Sequence, residues 1–162
     1  MSETVTVPPE VTAEGEAPIP TRRILVFEAG VAPFACDMEA FREIVPTRPI
    51  TRLPGAPDTV CGLINLRGNI VTVLDGGVIL AGTPSRRDGG LLLILDDPEK
   101  QLGLAVDDVR DIQDVPIDQF LDASERETAT TQCAIGAVEL IGERVLVLDI
   151  RTAARQVIGQ GR

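Results

Sequence analysis

The sequence predicts a mainly β protein that consists of two pseudo-repeated small β-barrels with short helices. Two observations support this fold class. Short apolar runs alternate along the chain with segments rich in glycine, proline and charged residues, which is the pattern of short strands joined by tight turns. The second half of the chain also repeats the pattern of the first half, as expected when one structural unit is present twice.

Length and composition limit the number of domains and the residue types of the core. The 162 residues suit one domain or two intimately packed halves. Hydrophobic residues make up 44% of the chain, whereas aromatic residues make up only 2%, with no Trp and no Tyr. The core must therefore consist mainly of Val, Ile, Leu and Ala side chains.

Charge and cysteine content exclude several classes of function. The net charge of −10 argues against nucleic acid and against anionic membrane surfaces, because both would repel the protein. The chain has no His, and Cys36, Cys61 and Cys133 are far apart in the sequence. This pattern excludes a zinc site and a disulfide framework and favours small buried side chains. We therefore predict no metal, no cofactor and no nucleic-acid partner.

The N-terminal sequence is that of a tail. It lacks the basic residues and apolar core of a signal peptide, and no apolar run in the chain reaches the ~18 residues of a membrane helix. We therefore expect a cytoplasmic protein without direct membrane insertion. Residues 1–21 are rich in Pro, Glu and Thr, so we predict a disordered acidic tail that precedes one folded domain over 22–162.

Apolar runs are predicted to form hairpins, because Gly, Pro or charged residues join them in pairs. The predicted hairpins consist of residues 23–28 with 34–36, 61–66 with 69–74, 91–96 with 101–106, and 134–140 with 144–149.

The segments between the hairpins differ in kind. Asp37 suits the N-cap of a short helix over 38–44, which would place Met38, Phe41 and Ile44 on one face. The other segments are predicted to be an extended connector with turns over 46–58, a loop over 81–90, a polar irregular stretch with a helical turn over 110–131, and a short final helix over 150–158.

Two constant offsets define the repeat. Gly62, Gly68, Leu74 and Asp75 each lie 74 residues (136 − 62) before their counterparts, which are Gly136, Gly142, Leu148 and Asp149. Val26, Phe34, Met38, Phe41 and Ile44 each lie 68 residues (94 − 26) before theirs, which are Ile94, Leu102, Val106, Val109 and Ile112. The difference between the offsets falls in the polar connectors, where insertions cost little. The two copies span about 22–80 and 91–150.

The repeated glycines indicate backbone roles. Gly68 and Gly142 lie at hairpin turns, where a positive φ is expected. Gly62 and Gly136 lie inside strand patterns, where glycine indicates a bulge or a barrel corner.

One difference between the copies stands out. The first copy has Asn65 and Arg67 just before its turn glycine, whereas the second copy has Glu139 and Ile141 at the same positions. A structural requirement shared by both copies would give the same residues twice. We therefore infer that Asn65 and Arg67 serve something specific to the first half.

These residues resemble the CheW family of chemotaxis coupling proteins, and the resemblance covers roughly residues 22–155. The matching segments are ILVFEAG at 24–30, FREIV in the predicted helix, ITRLPGAP at 50–57, VCGLINLRGNIVTVLD at 60–75, LGLAVDDVRDI at 102–112 and AIGAVELIGERVLVLDI at 134–150.

The resemblance implies two five-stranded, SH3-like β-barrels packed on each other, without catalytic activity or cofactors. Members of the family link the cytoplasmic tip of a methyl-accepting chemoreceptor to the regulatory domain of a CheA-type histidine kinase. That kinase domain is itself CheW-like and pairs with CheW barrel to barrel, while the receptor tip binds a hydrophobic groove between the barrels. The implied function is an adaptor at receptor clusters. The alternative is an accessory scaffold of a non-flagellar pathway that binds receptor but binds kinase weakly or not at all.

Carried onto this chain, the resemblance gives a set of receptor or kinase interface candidates. They are Met38, Phe41, Glu43, Gly62, Asn65, Arg67, Leu91, Gly103, Val109 and Gly136, with the connector 45–48 as a weaker candidate. Arg67 is expected to hold the junction of the barrels and face the receptor helix, because its guanidinium can bridge several carbonyl groups. Asn65 is expected to satisfy backbone groups of its own turn.

Each candidate also has a structural interpretation. Arg67 can instead cap its own hairpin or pair with a nearby carboxylate. The others can be core residues (Met38 and Phe41), positions of barrel geometry (Gly103 and Gly136) or a solvated charge (Glu43).

The chain departs from the family pattern after Asp75. The family usually continues with Leu and a basic residue, whereas Gly76 and Gly77 follow here. Each glycine weakens a helix by roughly 1 kcal/mol relative to Ala, although Asp75 itself is a good helix cap.

The sequence offers less support for other functions than for the adaptor. Because the chain has no His, the acid or base of an enzyme would be Asp, Glu or Cys. Four aspartates lie near turns, yet no nucleophile–base pair or phosphate-binding loop accompanies them; they are Asp75, Asp107, Asp108 and Asp149. A nucleic-acid-binding barrel conflicts with the charge and the missing aromatic side chains. A stand-alone interaction module with other partners stays open.

Overall fold

A computed structural model describes residues 18–86, 88–122 and 133–160. The described chain is mainly β, with short helices between the strands. Its strands are β1 (Thr21–Ala29), β2 (Ala32–Asp37), β3 (Phe41–Pro46), β4 (Val60–Leu66), β5 (Asn69–Asp75), β6 (Leu91–Leu95), β7 (Leu102–Val106), β8 (Asp108–Pro116), β9 (Ala134–Leu140) and β10 (Glu143–Leu148). Its helices are α1 (Gly76–Ala81) and α2 (Ile150–Gln160), with 3₁₀ turns at Met38–Ala40 and Ile117–Gln119.

The strands form two five-stranded sheets. The first sheet has the order β8-β1-β2-β10-β9, and the second has the order β3-β6-β7-β5-β4. The predicted class, mainly β in two five-stranded units, is therefore confirmed. The prediction of closed barrels is wrong, because no backbone ladder joins the end strands β8 and β9 of the first sheet or β3 and β4 of the second in the described chain.

The two sheets exchange hairpins between the copies of the repeat. The first sheet combines β1 and β2 of the first copy with β8, β9 and β10 of the second. The second sheet combines β6 and β7 of the second copy with β3, β4 and β5 of the first. The ranges 22–80 and 91–150 thus describe the repeat in sequence, whereas each sheet draws strands from both ranges.

The strand registers follow the offsets of the repeat. Leu25 pairs with Ile112 in the first sheet, and its counterpart Leu93 pairs with Ile44 in the second. Both ladders are interrupted at equivalent places, next to Arg110 and Arg42. The duplication read from the sequence therefore corresponds to a structural pseudo-symmetry.

The helix predicted over 38–44 is wrong. Only a 3₁₀ turn forms at Met38–Ala40, and Phe41–Pro46 continues as strand β3, which pairs with β6. Hydrogen bonds and packing across that ladder outweigh the helical spacing of the apolar residues. Asp37 makes no side-chain cap to the 3₁₀ turn and instead forms an ion pair with Arg22.

The irregular stretch predicted over 110–131 is also partly wrong. Strand β8 occupies much of it and pairs with β1. Its side chains are mostly exposed, because β8 is an end strand, so it lacks the apolar alternation that identifies a strand. The predicted helical turn is present at Ile117–Gln119. Residues 123–132, like most of the predicted tail, lie outside the described residues.

Helix α1 forms despite its two glycines. Asp75 caps it, since Oδ1 accepts hydrogen bonds from the N–H groups of Gly77 at 2.9 Å and Val78 at 3.1 Å. A Cβ atom on Gly77 would lie 2.1 Å from the carbonyl oxygen of Thr83. Close packing therefore requires the glycine that weakens the helix.

Aliphatic side chains form three cores. The central core lies between the sheets and contains Leu25 and Phe27 of the first and Leu93 and Leu95 of the second. Each sheet covers a smaller core with its other face, as expected from strand alternation. Each sheet is thus packed on both faces, and the turns project from its ends.

Candidate functional site

The hairpin between β4 and β5 carries Asn65 and Arg67 at its tip. Arg67 and Gly68 both have a positive φ, 51° and 87°, as in a type I′ turn. The Oδ1 of Asn65 accepts a hydrogen bond of 2.8 Å from the backbone N–H of Gly68. The predictions for the turn glycine and for the local role of Asn65 are confirmed.

Arg67 forms an ion pair with Glu43. The guanidinium Nη2 of Arg67 donates to Oε2 of Glu43 on β3. Because β3 and β4 are the two end strands of the second sheet, this contact links the two edges of that sheet, which no backbone ladder joins in the described chain. The Arg67 side chain is nevertheless 64% exposed, so most of its surface faces outward.

The first sheet has an ion-pair link of its own, built from other residues. Ile141 replaces Arg67 at the equivalent turn, but Arg110 on β8 donates to Glu28 at 2.6 Å and to Glu143 at 2.9 Å. Hydrogen bonds to these carboxylates raise the pKa of Arg110. This link joins β8 to β1 and β10 and not to the other end strand, β9, so it differs from the Arg67–Glu43 contact. Arg67 thus has a structural role in the second sheet, and its specific role toward a partner stays a prediction.

Four apolar candidates meet in the central core. Phe41 is buried there, and Met38, Leu91 and Val109 are half-buried against it. Their placement supports the core interpretation for Phe41. The half-buried side chains lie at the margin of the core, where part of their surface remains accessible.

The three glycine candidates occupy crowded positions. A Cβ atom on Gly62 would lie 2.1 Å from the carbonyl oxygen of Thr51, and one on Gly136 would lie 3.0 Å from that of Leu121. On Gly103 it would lie 3.3 Å from Cδ1 of Ile94. Gly62 and Gly136 thus admit connector segments that bridge to β4 and β9, which accounts for both glycines through fold geometry.

The connector candidate 45–48 divides between core and surface. Val45 is buried in the core of the second sheet. Thr47 and Arg48 line a cavity of about 580 Å³ that also includes Arg52 and the buried Cys61. A second cavity of about 310 Å³ shares Arg52 and Cys61 with the first.

Two exposed tips were not predicted from the sequence. Val31 between β1 and β2 is 87% exposed, and Ile141 between β9 and β10 is 100% exposed. Both have a positive φ, 64° and 51°, which is strained for a β-branched side chain. Since β2 and β10 run parallel, the two tips lie at the same end of the first sheet. The sequence feature that could have indicated these tips is a β-branched residue directly beside a turn glycine.

The carboxylates considered for catalysis are used in backbone capping. Asp75 also accepts from the N–H of Ser85 at 2.9 Å. Asp107 accepts from the N–H groups of Val31 and Arg86, and Asp149 from the N–H of Thr152 at 3.1 Å. Burial raises the pKa of the Cys36 thiol well above its usual value, which disfavours a reactive thiolate. The carboxylates of Asp75, Asp107 and Asp149 thus hold turns and helix starts in place.

In the described ranges, no helix is long and apolar enough to cross a membrane.

Comparison with known proteins identifies relatives of this chain. The family model described as CheW-like domain matches residues 23–157. The Chemotaxis protein CheW of Klebsiella aerogenes is 27% identical over 128 residues, which cover 78% of this chain and 77% of that protein. The Chemotaxis protein CheW of Rhizobium meliloti is 34% identical over 94 residues, 56% of this chain and 59% of that protein.

A solved structure has a similar fold. The crystal structure of the scaffolding protein TtCheW from Thermoanaerobacter tengcongensis superposes with a TM-score of 0.71 and 23% sequence identity. The match covers 82% of this chain and 86% of that structure. The architecture of two exchanged five-stranded sheets therefore has a counterpart among solved structures.

Proposed function

This chain belongs to the CheW-like domain family, and from that premise we propose that it is a non-catalytic adaptor of chemosensory signalling. It couples the cytoplasmic tip of a chemoreceptor to the regulatory domain of a CheA-type histidine kinase. Its place is the cytoplasm, at clusters of receptors.

The observation that carries the proposal is the exposed guanidinium at the INLRG tip. One N–H of Arg67 is engaged by Glu43, and the side chain remains 64% exposed. An arginine has five N–H donors, so the others can reach carbonyl or carboxylate groups of a docking helix. Glu43 fixes the guanidinium in place, which lowers the entropy lost when a partner binds.

The receptor contact extends from this tip to the half-buried margin of the central core. Met38, just before β3, and Ile44, next to Glu43 on β3, supply apolar surface there, and an amphipathic receptor helix would bury its apolar face against it. In this arrangement Arg67 sets the position of the helix, and the apolar side chains supply most of the affinity.

The kinase contact is assigned to two hairpin tips of the first sheet, which are apolar where the Arg67 tip is charged. Val31 and Ile141 expose apolar, β-branched side chains at one end of the first sheet. A strained turn that exposes such a side chain needs compensation, which burial against a partner supplies. A CheW-like regulatory domain of the kinase is the partner that we propose for this end.

Size-exclusion chromatography with two partners from the same genome tests the proposal. The partners are the receptor signalling hairpin and the kinase regulatory domain. Co-elution of the chain with each partner is the expected result. Co-elution with the receptor alone would support an accessory scaffold, and co-elution with neither would reject the adaptor function.

A further inference from the structure

The cavity beside the connector after β3 presents positive charge. Arg48 and Arg52 line it, and Asp88 is the carboxylate on its described wall, so the positive groups outnumber the negative one. Within the described ranges, neither arginine forms an ion pair. This is a concentration of uncompensated positive charge in a chain of net charge −10.

Arg48 is partly withdrawn from water. The residue is half-buried, and its Nε is covered without a hydrogen-bond partner among the described residues. A covered donor without an acceptor costs free energy, and so does a charge that is removed from water without an opposite charge beside it. An anion that enters the cavity next to the guanidinium would offset part of this cost.

Backbone hydrogen bonds hold the connector in place on this side of the cavity. The N–H of Thr51 donates to the carbonyl of Leu63, and the N–H of Leu63 donates back to Thr51, both at 2.8 Å. The N–H of Thr47 donates to the carbonyl of Gly90 at 3.0 Å. Because Thr47 precedes Arg48 and Thr51 precedes Arg52, both arginines extend from fixed backbone, which lowers the entropy lost when a ligand binds.

The connector itself does not require arginines at these positions. In the second copy, Leu121 bridges to Ala137 by hydrogen bonds of 2.7 and 2.9 Å, as Thr51 does to Leu63. Asp118 lies three residues before Leu121 and Asp122 one residue after it, which are the positions of the two arginines relative to Thr51. The same backbone arrangement thus forms with carboxylates, so the arginines are available for a role outside the fold.

The size and lining of the cavity match a small organic anion. Its volume of about 580 Å³ lies within the roughly 300–1,000 Å³ that is usual for small-molecule sites. Pro49 and Ile50 add apolar surface beside the arginines. A phosphate group carries up to two negative charges and three acceptor oxygens, whereas a carboxylate carries one charge and two oxygens. Two guanidinium groups therefore match a phosphate better than a carboxylate.

We propose that this cavity binds a small organic phosphate. Arg48 and Arg52 hold the phosphate group, and Pro49 and Ile50 contact the carbon part of the ligand. Asp88 repels the anion, so binding needs both guanidinium groups. The contacts are short-range and should persist in about 0.15 M salt, where the Debye length of about 8 Å screens the negative charge of the rest of the chain.

Titration of the isotope-labelled full chain with three small anions tests this site by NMR. The probes are phenyl phosphate, inorganic phosphate and benzoate, each at matched ionic strength and up to roughly 10 mM, where a ligand with a Kd of about 1 mM is nearly saturating. Phenyl phosphate should move the backbone N–H signals of Ile50 and Gly89 and the Nε–H signal of Arg48. Inorganic phosphate should bind more weakly, because it lacks the carbon part, and benzoate should bind most weakly.

Three variants assign the binding to the arginines. Arg52→Gln at an exposed position should fold normally and bind phenyl phosphate about ten-fold more weakly or less, since one charged hydrogen-bonding group is lost. Arg48→Lys keeps the charge but loses the planar fork, and it should also bind more weakly. Arg144→Gln is the matched control, because Arg144 is exposed on β10 and does not line this cavity, and its affinity should be unchanged.

Several results would overturn the proposal. They are the absence of shifts at the cavity with phenyl phosphate, equally tight binding of benzoate, and unchanged affinity in Arg52→Gln. Equal affinities for phenyl phosphate and inorganic phosphate would reject the organic ligand and assign the site to free phosphate. The assay contains neither receptor nor kinase, so its failure would leave the adaptor function standing.

Discussion

Arg67 at the tip of the β4–β5 hairpin is bound to Glu43 on β3, and this ion pair joins the two end strands of an open sheet. In the first sheet, Arg110 on the end strand β8 binds Glu28 on β1 and Glu143 on β10, so it does not reach the other end strand, β9. Within the described residues, both sheets therefore carry an ion-pair link, but only that of the second sheet joins its two end strands. They differ in where the arginine stands, and only the second sheet presents it at an exposed hairpin tip.

Arg67→Ala should separate the structural role of this arginine from its role in binding. The variant should fold and lose at most about 1 kcal/mol of unfolding free energy, because exposed ion pairs contribute little. Its affinity for the receptor signalling hairpin should fall about ten-fold or more, as expected for a central arginine of an interface. Urea denaturation and isothermal titration measure the two effects.

The matched control for this variant is Arg23→Ala. Arg23 forms an ion pair with Asp114 and is 65% exposed, close to the 64% of Arg67. It should show the same small loss of stability with unchanged receptor affinity. Equal loss of affinity in both variants would contradict a specific role of Arg67.

Ile141→Asn should stabilise the fold and weaken kinase binding at the same time. Asn adopts the left-handed conformation more readily than a β-branched residue, so relief of strain at φ 51° should add about 1 kcal/mol. Loss of the exposed apolar side chain should reduce affinity for the kinase regulatory domain. Thermal unfolding and titration with that domain give the two values. Ile112→Thr, an exposed change on β8, is the control that should leave kinase binding intact.

Gly77→Ala should destabilise the protein by about 1–3 kcal/mol, the usual range for overpacking. The added methyl group would meet the carbonyl of Thr83 at 2.1 Å, which the capped turn cannot accommodate without moving. Gly159→Ala near the end of α2 meets no atom within 4 Å and should be neutral or slightly stabilising. Urea midpoints of the two variants check this; a stable Gly77→Ala would refute the packing account.

Asp97 should make stability depend on pH in the acid range. A hydrogen bond from Arg155 of α2, together with the backbone N–H groups of Glu99 and Lys100, lowers the pKa of Asp97 from 3.8 to about 2. Because the folded pKa lies below the unfolded value, the contribution is fully present above about pH 4. It is lost as the pH falls through about 2.

Asp97→Asn isolates this contribution. The difference in urea midpoint between the unmodified chain and Asp97→Asn should shrink steadily from pH 5 to pH 2. In Arg155→Gln, the pKa of Asp97 measured by NMR should rise toward 3.8. A pKa that stays near 2 in that variant would show that Arg155 is not the main cause.

The sequence was most informative where the repeat constrained it. The offsets of 68 and 74 residues predicted the equivalence of Leu25–Ile112 with Leu93–Ile44, because two copies of one unit pair in the same way. They did not predict the exchange of hairpins, since pairing within a copy and pairing between copies satisfy the same offsets. Only packing in three dimensions distinguishes the two arrangements.

In the candidate site, contacts within one turn could be predicted from the sequence, whereas contacts between distant residues could not. Asn65 and Gly68 act within one turn, so their contact follows from local sequence. The Arg67–Glu43 pair joins residues 24 positions apart in sequence, and no local pattern specifies it. The strained tips at Val31 and Ile141 were missed because β-branched residues are rare at positive φ.

The most direct test of the adaptor is retention of the kinase regulatory domain on an immobilised receptor signalling hairpin, measured by surface plasmon resonance with and without this chain. We expect the chain to increase kinase retention several-fold, Arg67→Ala to abolish the increase, and Arg23→Ala to preserve it. Kinase retention that is unchanged by the unmodified chain would contradict the adaptor function, because a coupling protein must bind both partners at once.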